Sequence, residues 1–213
     1  MNERTILVLT GGDPANPRRP LPEADLVIAA DSGLDQAGRL GLTVDLLVGD
    51  LDSISEAALA AAGEAGTRIE RHPVDKDATD LELALAAARR EGASLVVVVG
   101  GAGGRIDHLL ANALLLASPA WADLEIEWLI GDARIVAVHS EAWFSGQPGD
   151  LLTILPIGGP ASGVSSEGLQ FKLADDILLA GSTRGVSNLL TEERAVVRLS
   201  SGVLLAIHQP AAV

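Results

Sequence analysis

Four short apolar runs, each closed off by glycine, do most to limit what this chain can fold into. They are TILVL at 5–9 before Gly11-Gly12, DLVIAA at 25–30 before Asp31-Ser32-Gly33, LLV at 46–48 before Gly49-Asp50, and LVVVV at 95–99 before Gly100-Gly101. Runs with almost no polar alternation suit strands buried on both faces of a parallel sheet. Helical patterns fill the intervals at 33–41, 55–65, 80–91 and 107–117. The one at 80–91 is the clearest: Leu81, Ala84, Leu85 and Ala88 fall on one face, Thr79-x-x-Glu82 forms a capping box in front, and Gly92 follows.

After Ser118-Pro119 the pattern changes. Strand-like segments at 126–130, 135–139, 151–155, 169–173, 195–199 and 203–208 are separated by turn signals such as Pro-Gly-Asp and Gly-Gly-Pro, with no convincing helix among them. The expected fold is α/β: an N-terminal parallel-sheet, Rossmann-like domain over 1–118, followed by an antiparallel β-sandwich or barrel domain over 119–213. There is no internal repeat, and residues 14–22 read as a Pro- and Arg-rich loop.

Charge narrows the function. The 213 residues carry 15 basic and 29 acidic side chains, a net of −14 that is shared by both halves. Nucleic acid and anionic membranes are therefore poor partners, because phosphate-backbone affinity rests on Lys and Arg. Hydrophobic residues make up 48% of the chain, enough for a buried core. Zero cysteines excludes disulfides, thiolate metal sites and cysteine nucleophiles. The opening Met-Asn-Glu-Arg precedes only five apolar residues, too few for a signal-peptide core, and no run approaches the roughly 20 that a membrane span needs. The expectation is a soluble, cytoplasmic protein. With no Tyr, two Phe and three Trp, any surface for stacking a flat ligand has few side chains to draw on.

Ligands of an open parallel sheet sit beyond the carboxyl ends of its strands, where this sequence collects aspartates: Asp31, Asp50, Asp52, Asp75, Asp77, Asp80 and Asp107. Each converging pair about 5 Å apart costs roughly 3 kcal/mol at an effective dielectric of about 20, a cost that a divalent cation removes. Asp50 and Asp52, at i and i+2, would lie on one side of an extended chain, suiting Mg²⁺; the plainer alternative is a solvated turn with Ser53 capping the next helix. In Asp75-Lys76-Asp77-Ala78-Thr79-Asp80, Lys76 stands out because the chain has thirteen Arg and only two Lys. Its ammonium is a point charge for a phosphate, and Asp77 and Asp80 flank a helix N-terminus. Gly100-Gly101-Ala102-Gly103-Gly104-Arg105-Ile106-Asp107-His108 lets backbone approach a phosphate onto which Arg105 can fork. It is neither a Walker loop nor a GxGxxG fingerprint. Gly11-Gly12 is a weaker phosphate loop.

Taken in order and spacing, AADSGLDQA, GDLDSI, DKDATDLELAL and GGAGGRIDHLLANALLL resemble the thiamine pyrophosphokinase family, and EGLQFKL and GVSNLL resemble its substrate-domain segments. The resemblance covers most of the chain. It implies an α/β ATP-binding domain and a β domain that binds thiamine and dimerises. The implied reaction is Mg²⁺-dependent transfer of the ATP diphosphoryl group to the thiamine hydroxyl, in a homodimer with thiamine bound between one subunit's first domain and the other's second. Carried over residue by residue, Asp50, Asp52 and Asp77 would bind metal, with Asp107 a further candidate. Lys76, Arg105, Gly11, Gly12 and His108 would face the nucleotide, Thr79 and Asp80 would order the catalytic loop, and Asp31 would lie near nucleotide or thiamine. Asp80 or Asp107 would accept the hydroxyl proton, and Ser187 and Asn188 would meet thiamine. Animal members carry a tryptophan soon after their Ser-Asn pair; this chain has none beyond Trp143, leaving that contact to Leu189, Leu190 or another side chain.

Two other readings keep the pocket: a pyrophosphokinase acting on another alcohol, such as a pterin, and a non-catalytic nucleotide or thiamine sensor. Ser187-Asn188 argues for thiamine, and the intact set Asp50, Asp52, Lys76, Asp77 and Arg105 argues against a sensor. A nicotinamide-dependent oxidoreductase would need a glycine fingerprint that the chain lacks.

Overall fold

The computed structural model describes residues 4–15 and 20–211; the first three residues and 16–19 of the Pro- and Arg-rich segment lie outside the described residues. The chain forms two compact units, Met1–Asn112 with Asp123–Gly131, and Ala113–Ala122 with Asp132–Val213.

In the first unit the apolar runs become β1 (Thr5–Thr10), β2 (Leu26–Ala30), β3 (Leu46–Gly49) and β5 (Leu95–Val99). They are joined by β4 (Arg68–Arg71) and β6 (Glu125–Ile130) in the order β6-β5-β1-β2-β3-β4, every pair parallel. The helices are α1 (Gly33–Leu40), α2 (Glu56–Glu64), α3 (Asp80–Arg90) and α4 (Ile106–Leu116), the last of which belongs to the first unit only as far as Asn112. Thr79 caps α3 by accepting the Glu82 N–H at 3.2 Å, and Ser55, not Ser53, caps α2. One core packs Leu7, Leu9, Ala29, Leu47, Val97 and Val99 of the strands against Ala37 of α1. From β1 the chain builds outward through β2, β3 and β4, then returns to place β5 on the other side of β1. That reversal opens a crevice beyond the carboxyl ends of β1 and β5.

Two features depart from the expected pattern. The strand β4, with sequence RIER, is largely exposed at the sheet edge, where charge discourages further pairing; it carries no apolar run to announce it. The strand β6 pairs in parallel with β5, so parallel structure continues past residue 118, where the sequence pattern changes.

The second unit contains β7 (Ala133–Val138), β8 (Glu141–Ser145), β9 (Leu151–Pro156), β10 (Ala161–Glu167), β11 (Asp176–Leu178), β12 (Asn188–Leu189), β13 (Arg194–Arg198) and β14 (Leu204–Gln209). They form two antiparallel layers, β12-β9-β14-β7 and β11-β10-β13-β8. Val138, Leu152, Ile154 and Leu204 of one layer share a core with Phe144, Val164, Leu178 and Val197 of the other, as in a sandwich. The segment 169–173, expected as a strand, makes only a single bridge, Leu169 to Leu190. The backbone of Phe171 is satisfied by the Asn188 side chain instead of a ladder. Among the described residues no helix is long and apolar enough to cross a membrane.

Candidate active site

The loops after β1 and β5 are stitched together by backbone. Gly101 N–H donates to Gly11 at 2.8 Å and Asp13 N–H to Ala102 at 2.7 Å. Gly12 (φ 108°) and Gly103 (φ 88°) are in the left-handed region, and a Cβ would strike the Ala102 carbonyl at the first and the Asp13 carboxylate at the second. Only glycine allows this approach. The buried Trp128 Nε1 donates to the Gly100 carbonyl at 2.7 Å and fixes the loop from below. The result is a cavity of about 290 Å³ whose wall includes Gly11, Gly12, Asp31, Asp80, Arg105 and His108.

Beside it, Asp31 at the end of β2, with Asp50 and Asp52 after β3, present carboxylate oxygens within 4.8 Å of one another. The chain between the last two is not extended. Buried Leu51 is at φ 64°, uncommon for a bulky residue, and this kink rather than strand alternation turns both carboxylates together. Gly49 (φ 150°) leaves room for Asp31 and Asp80, against which a Cβ would press. Ser53 Oγ donates to Asp31 Oδ2, while Asp31 Oδ1 is buried with no hydrogen-bond partner among the described residues.

Lys76 answers this negative charge. Its Nζ lies 2.7 Å from Asp50 Oδ2 and 2.9 Å from Asp80 Oδ1, with the side chain only 14% exposed. The Lys76 hydrogen bond holds the Asp50 carboxyl below its usual range. The charge on Asp50 pushes Asp52 up. Burial works against the Lys76 ammonium, yet its bonds to Asp50 and Asp80 outweigh that and raise its pKa.

The remaining predicted residues fall as follows. Thr79 and Asp80 lie on the cavity wall. Asp77 is exposed in the loop before α3, outside the group formed by Asp31, Asp50 and Asp52. Arg105 forks onto Asp107, Nε to Oδ1 at 2.8 Å and Nη2 to Oδ2 at 2.5 Å, and this pairing holds the Asp107 carboxyl well below the usual carboxylate range. Ser187 and Asn188 are in the second unit; Ser187 is exposed at φ 57°, and Asn188 is buried. Sequence reasoning missed the Ser53 contact and Asn112, a buried polar residue of α4 on the cavity wall. Neither carries a sequence signal: Ser53 reaches a carboxylate 22 residues away, and an Asn inside an apolar helix has nothing to mark it.

The chain matches two family models, described as thiamin pyrophosphokinase, catalytic domain, over residues 18–128 and thiamin pyrophosphokinase, vitamin B1 binding domain, over 143–204. It is 25% identical to thiamine pyrophosphokinase of Bacillus subtilis over 96% of this chain and 98% of that protein. It is 30% identical to thiamine pyrophosphokinase 1 of Arabidopsis thaliana over 76% of this chain, spanning 64% of the plant protein. The Bacillus subtilis crystal structure superposes with a TM-score of 0.85 at 25% identity, covering 98% of this chain and 100% of that one. A thiamin pyrophosphokinase family protein from Enterococcus faecalis superposes with a TM-score of 0.84 at 26% identity, covering 97% and 99%.

Proposed function

This chain belongs to the thiamin pyrophosphokinase family, and from that premise we propose that it is a thiamine diphosphokinase using ATP and Mg²⁺. The observation that carries the reading is the meeting of Asp31, Asp50, Asp52 and Lys76 beside a glycine-walled cavity at the switch point of a parallel sheet.

The thiamine hydroxyl oxygen attacks the β-phosphorus of ATP in line, the bond from that phosphorus to the α–β bridging oxygen breaks, and AMP leaves with the electron pair. Such a reaction needs positioning and charge neutralisation more than covalent help from the protein. Asp31, Asp50 and Asp52 suit a hard divalent cation: three carboxylates within reach of one ion, and one buried Asp31 oxygen with no protein partner among the described residues. Bound there, Mg²⁺ would offset charge on the phosphates. Asp77, exposed in the loop before α3 and outside that group, is kept as a further metal ligand on the family resemblance alone. Lys76 and Arg105 supply cations to the phosphates, the Gly11-Gly12 backbone faces them, and Thr79 fixes the start of α3. His108, on the cavity wall, would face the nucleotide. Asp80 takes the hydroxyl proton, since it lines the cavity and Asp107 does not; each is paired with a cation, Asp80 with Lys76 and Asp107 with Arg105, so position on the wall decides between them. Ser187 is assigned to thiamine from the second unit.

A homodimer completes the reading, supported by Ile106, Leu110 and Leu114, which are 73%, 60% and 58% exposed along one face of α4. As an ATP-using enzyme it would work in the cytoplasm. Incubation with Mg²⁺, ATP and thiamine should yield AMP and thiamine diphosphate one to one. Release of ADP, or turnover only with a different alcohol, would overturn this function.

A further inference from the structure

Thiamine is a flat, permanently cationic heteroaromatic, and the face of an aromatic side chain is the natural seat for such a ring. The chain has five candidates. Trp121, Trp128 and Phe144 are buried. Trp143 is exposed, but the Arg194 and Arg198 guanidinium carbons lie 5.2 and 5.6 Å from its ring centroid and its Nε1 donates to Glu141. Phe171 is left, 60% exposed.

Its backbone is held as a stacking platform would require. The Phe171 N–H donates to Asn188 Oδ1 at 2.9 Å and its carbonyl accepts from Asn188 Nδ2 at 2.7 Å. Asn188 is 3% exposed and anchored in β12, opposite Leu152 of β9. On either side, Gln170 N–H donates to Leu189 and Thr191 N–H to Gly168, both at 2.9 Å. The exposed Ser187 directly precedes the clamp. A side chain fixed at its backbone before the ligand arrives loses little freedom on binding.

We infer that Phe171 is the aromatic platform for thiamine and that Asn188 is a positioning residue that acts through it rather than touching the substrate. This rests on the proposed thiamine diphosphokinase reading, and both residues lie within the segment matched by the vitamin B1 binding domain.

The test uses the full chain. Phe171→Ala should raise KM for thiamine, and weaken thiamine binding measured by calorimetry, about tenfold, with KM for ATP unchanged. Phe171→Trp should preserve both, and Trp143→Ala should behave as wild type. Asn188→Ser should weaken thiamine binding when made alone and add nothing in the Phe171→Ala background, because its effect runs through the ring. Additive losses would overturn the positioning role. If wild type makes thiamine diphosphate while Phe171→Ala binds thiamine as tightly as wild type, this inference alone fails. A smaller assembly by light scattering, with thiamine affinity intact, would make Phe171 an interface residue and also overturn it. If wild type makes no thiamine diphosphate, the underlying reading falls and this one with it.

Discussion

Among the described residues Lys76 is the one cation ion-paired with both Asp50 and Asp80, and this gives it two opposed effects. Its charge would assist phosphate, but while it sits on Asp50 it competes with any metal for that carboxylate. Lys76→Gln should therefore lower turnover by about 100-fold, the scale for losing one transition-state cation or donor. The same variant should bind bare Mn²⁺ about tenfold more tightly by electron paramagnetic resonance titration, since a neighbouring positive charge at effective dielectric about 20 is worth more than 1 kcal/mol. Unchanged or weaker Mn²⁺ binding would show that Lys76 does not screen the carboxylates. Its prominence could be read from the sequence, because lysine is rare here. The pairing of Asp31 with Ser53 could not, because it joins residues 22 apart. The Leu51 kink was hidden as well, since a leucine gives no warning of a positive φ.

Elements were legible where local chemistry names them. Thr79, the spacing of Leu81, Ala84, Leu85 and Ala88, and Gly92 describe α3 almost completely, whereas β10, rich in Ser, Gly and Ala, shows little strand pattern. The two glycine loops behave as one element. Gly12→Ala should cost about 1–3 kcal/mol in folding stability from its left-handed backbone alone, with the Ala102 collision adding to it, seen as a lower midpoint in thermal or urea unfolding. In the second unit, Asp150 joins the turn before β9 to the end of the chain: it accepts from Gln147 N–H at 2.9 Å and Ala211 N–H at 3.0 Å and meets buried His208 at 3.2 Å. Burial opposes its charge, yet these donors outweigh burial and its pKa is depressed below 3.8. A carboxyl with a depressed folded pKa stabilises fully above its unfolded value and loses that contribution as pH falls through the folded one. Asp150→Asn should thus lower stability by about 1–3 kcal/mol at neutral pH and flatten the acid limb of the melting curve below pH 3.8. An unaltered acid limb would remove Asp150 from that role.

For the whole molecule, the mixed α/β class was readable because buried parallel strands and antiparallel strands pattern differently. The direction of β6 was not, since EIEWLI reads as a strand in either orientation. The net charge of −14 bears on substrate encounter. A cationic acceptor should be drawn to such a surface and an anionic one repelled. Raising salt from about 20 to about 300 mM, where the Debye length contracts severalfold, should therefore lower kcat/KM for thiamine by several-fold but not that for ATP with Mg²⁺. Equal salt dependence would remove steering as an explanation. Assembly is the other property of this scale. Leu110→Glu with Leu114→Glu should convert the proposed dimer to monomers in light scattering, and retained dimers would move the interface away from α4.

The placement of β5 beside β1 also has a consequence during synthesis. Thr5 aligns with Leu95, so one long edge of β1 has no partner until the ribosome has delivered the chain some ninety residues further on. At about 5–20 residues per second that wait is several seconds, during which Ile6 to Leu9, wholly or almost wholly buried in the finished protein, offer an open strand edge to other chains. The joint beside the proposed catalytic crevice thus closes late, only β6 joining the parallel strands after it, and a nascent chain halted before residue 95 would be a natural client for a chaperone.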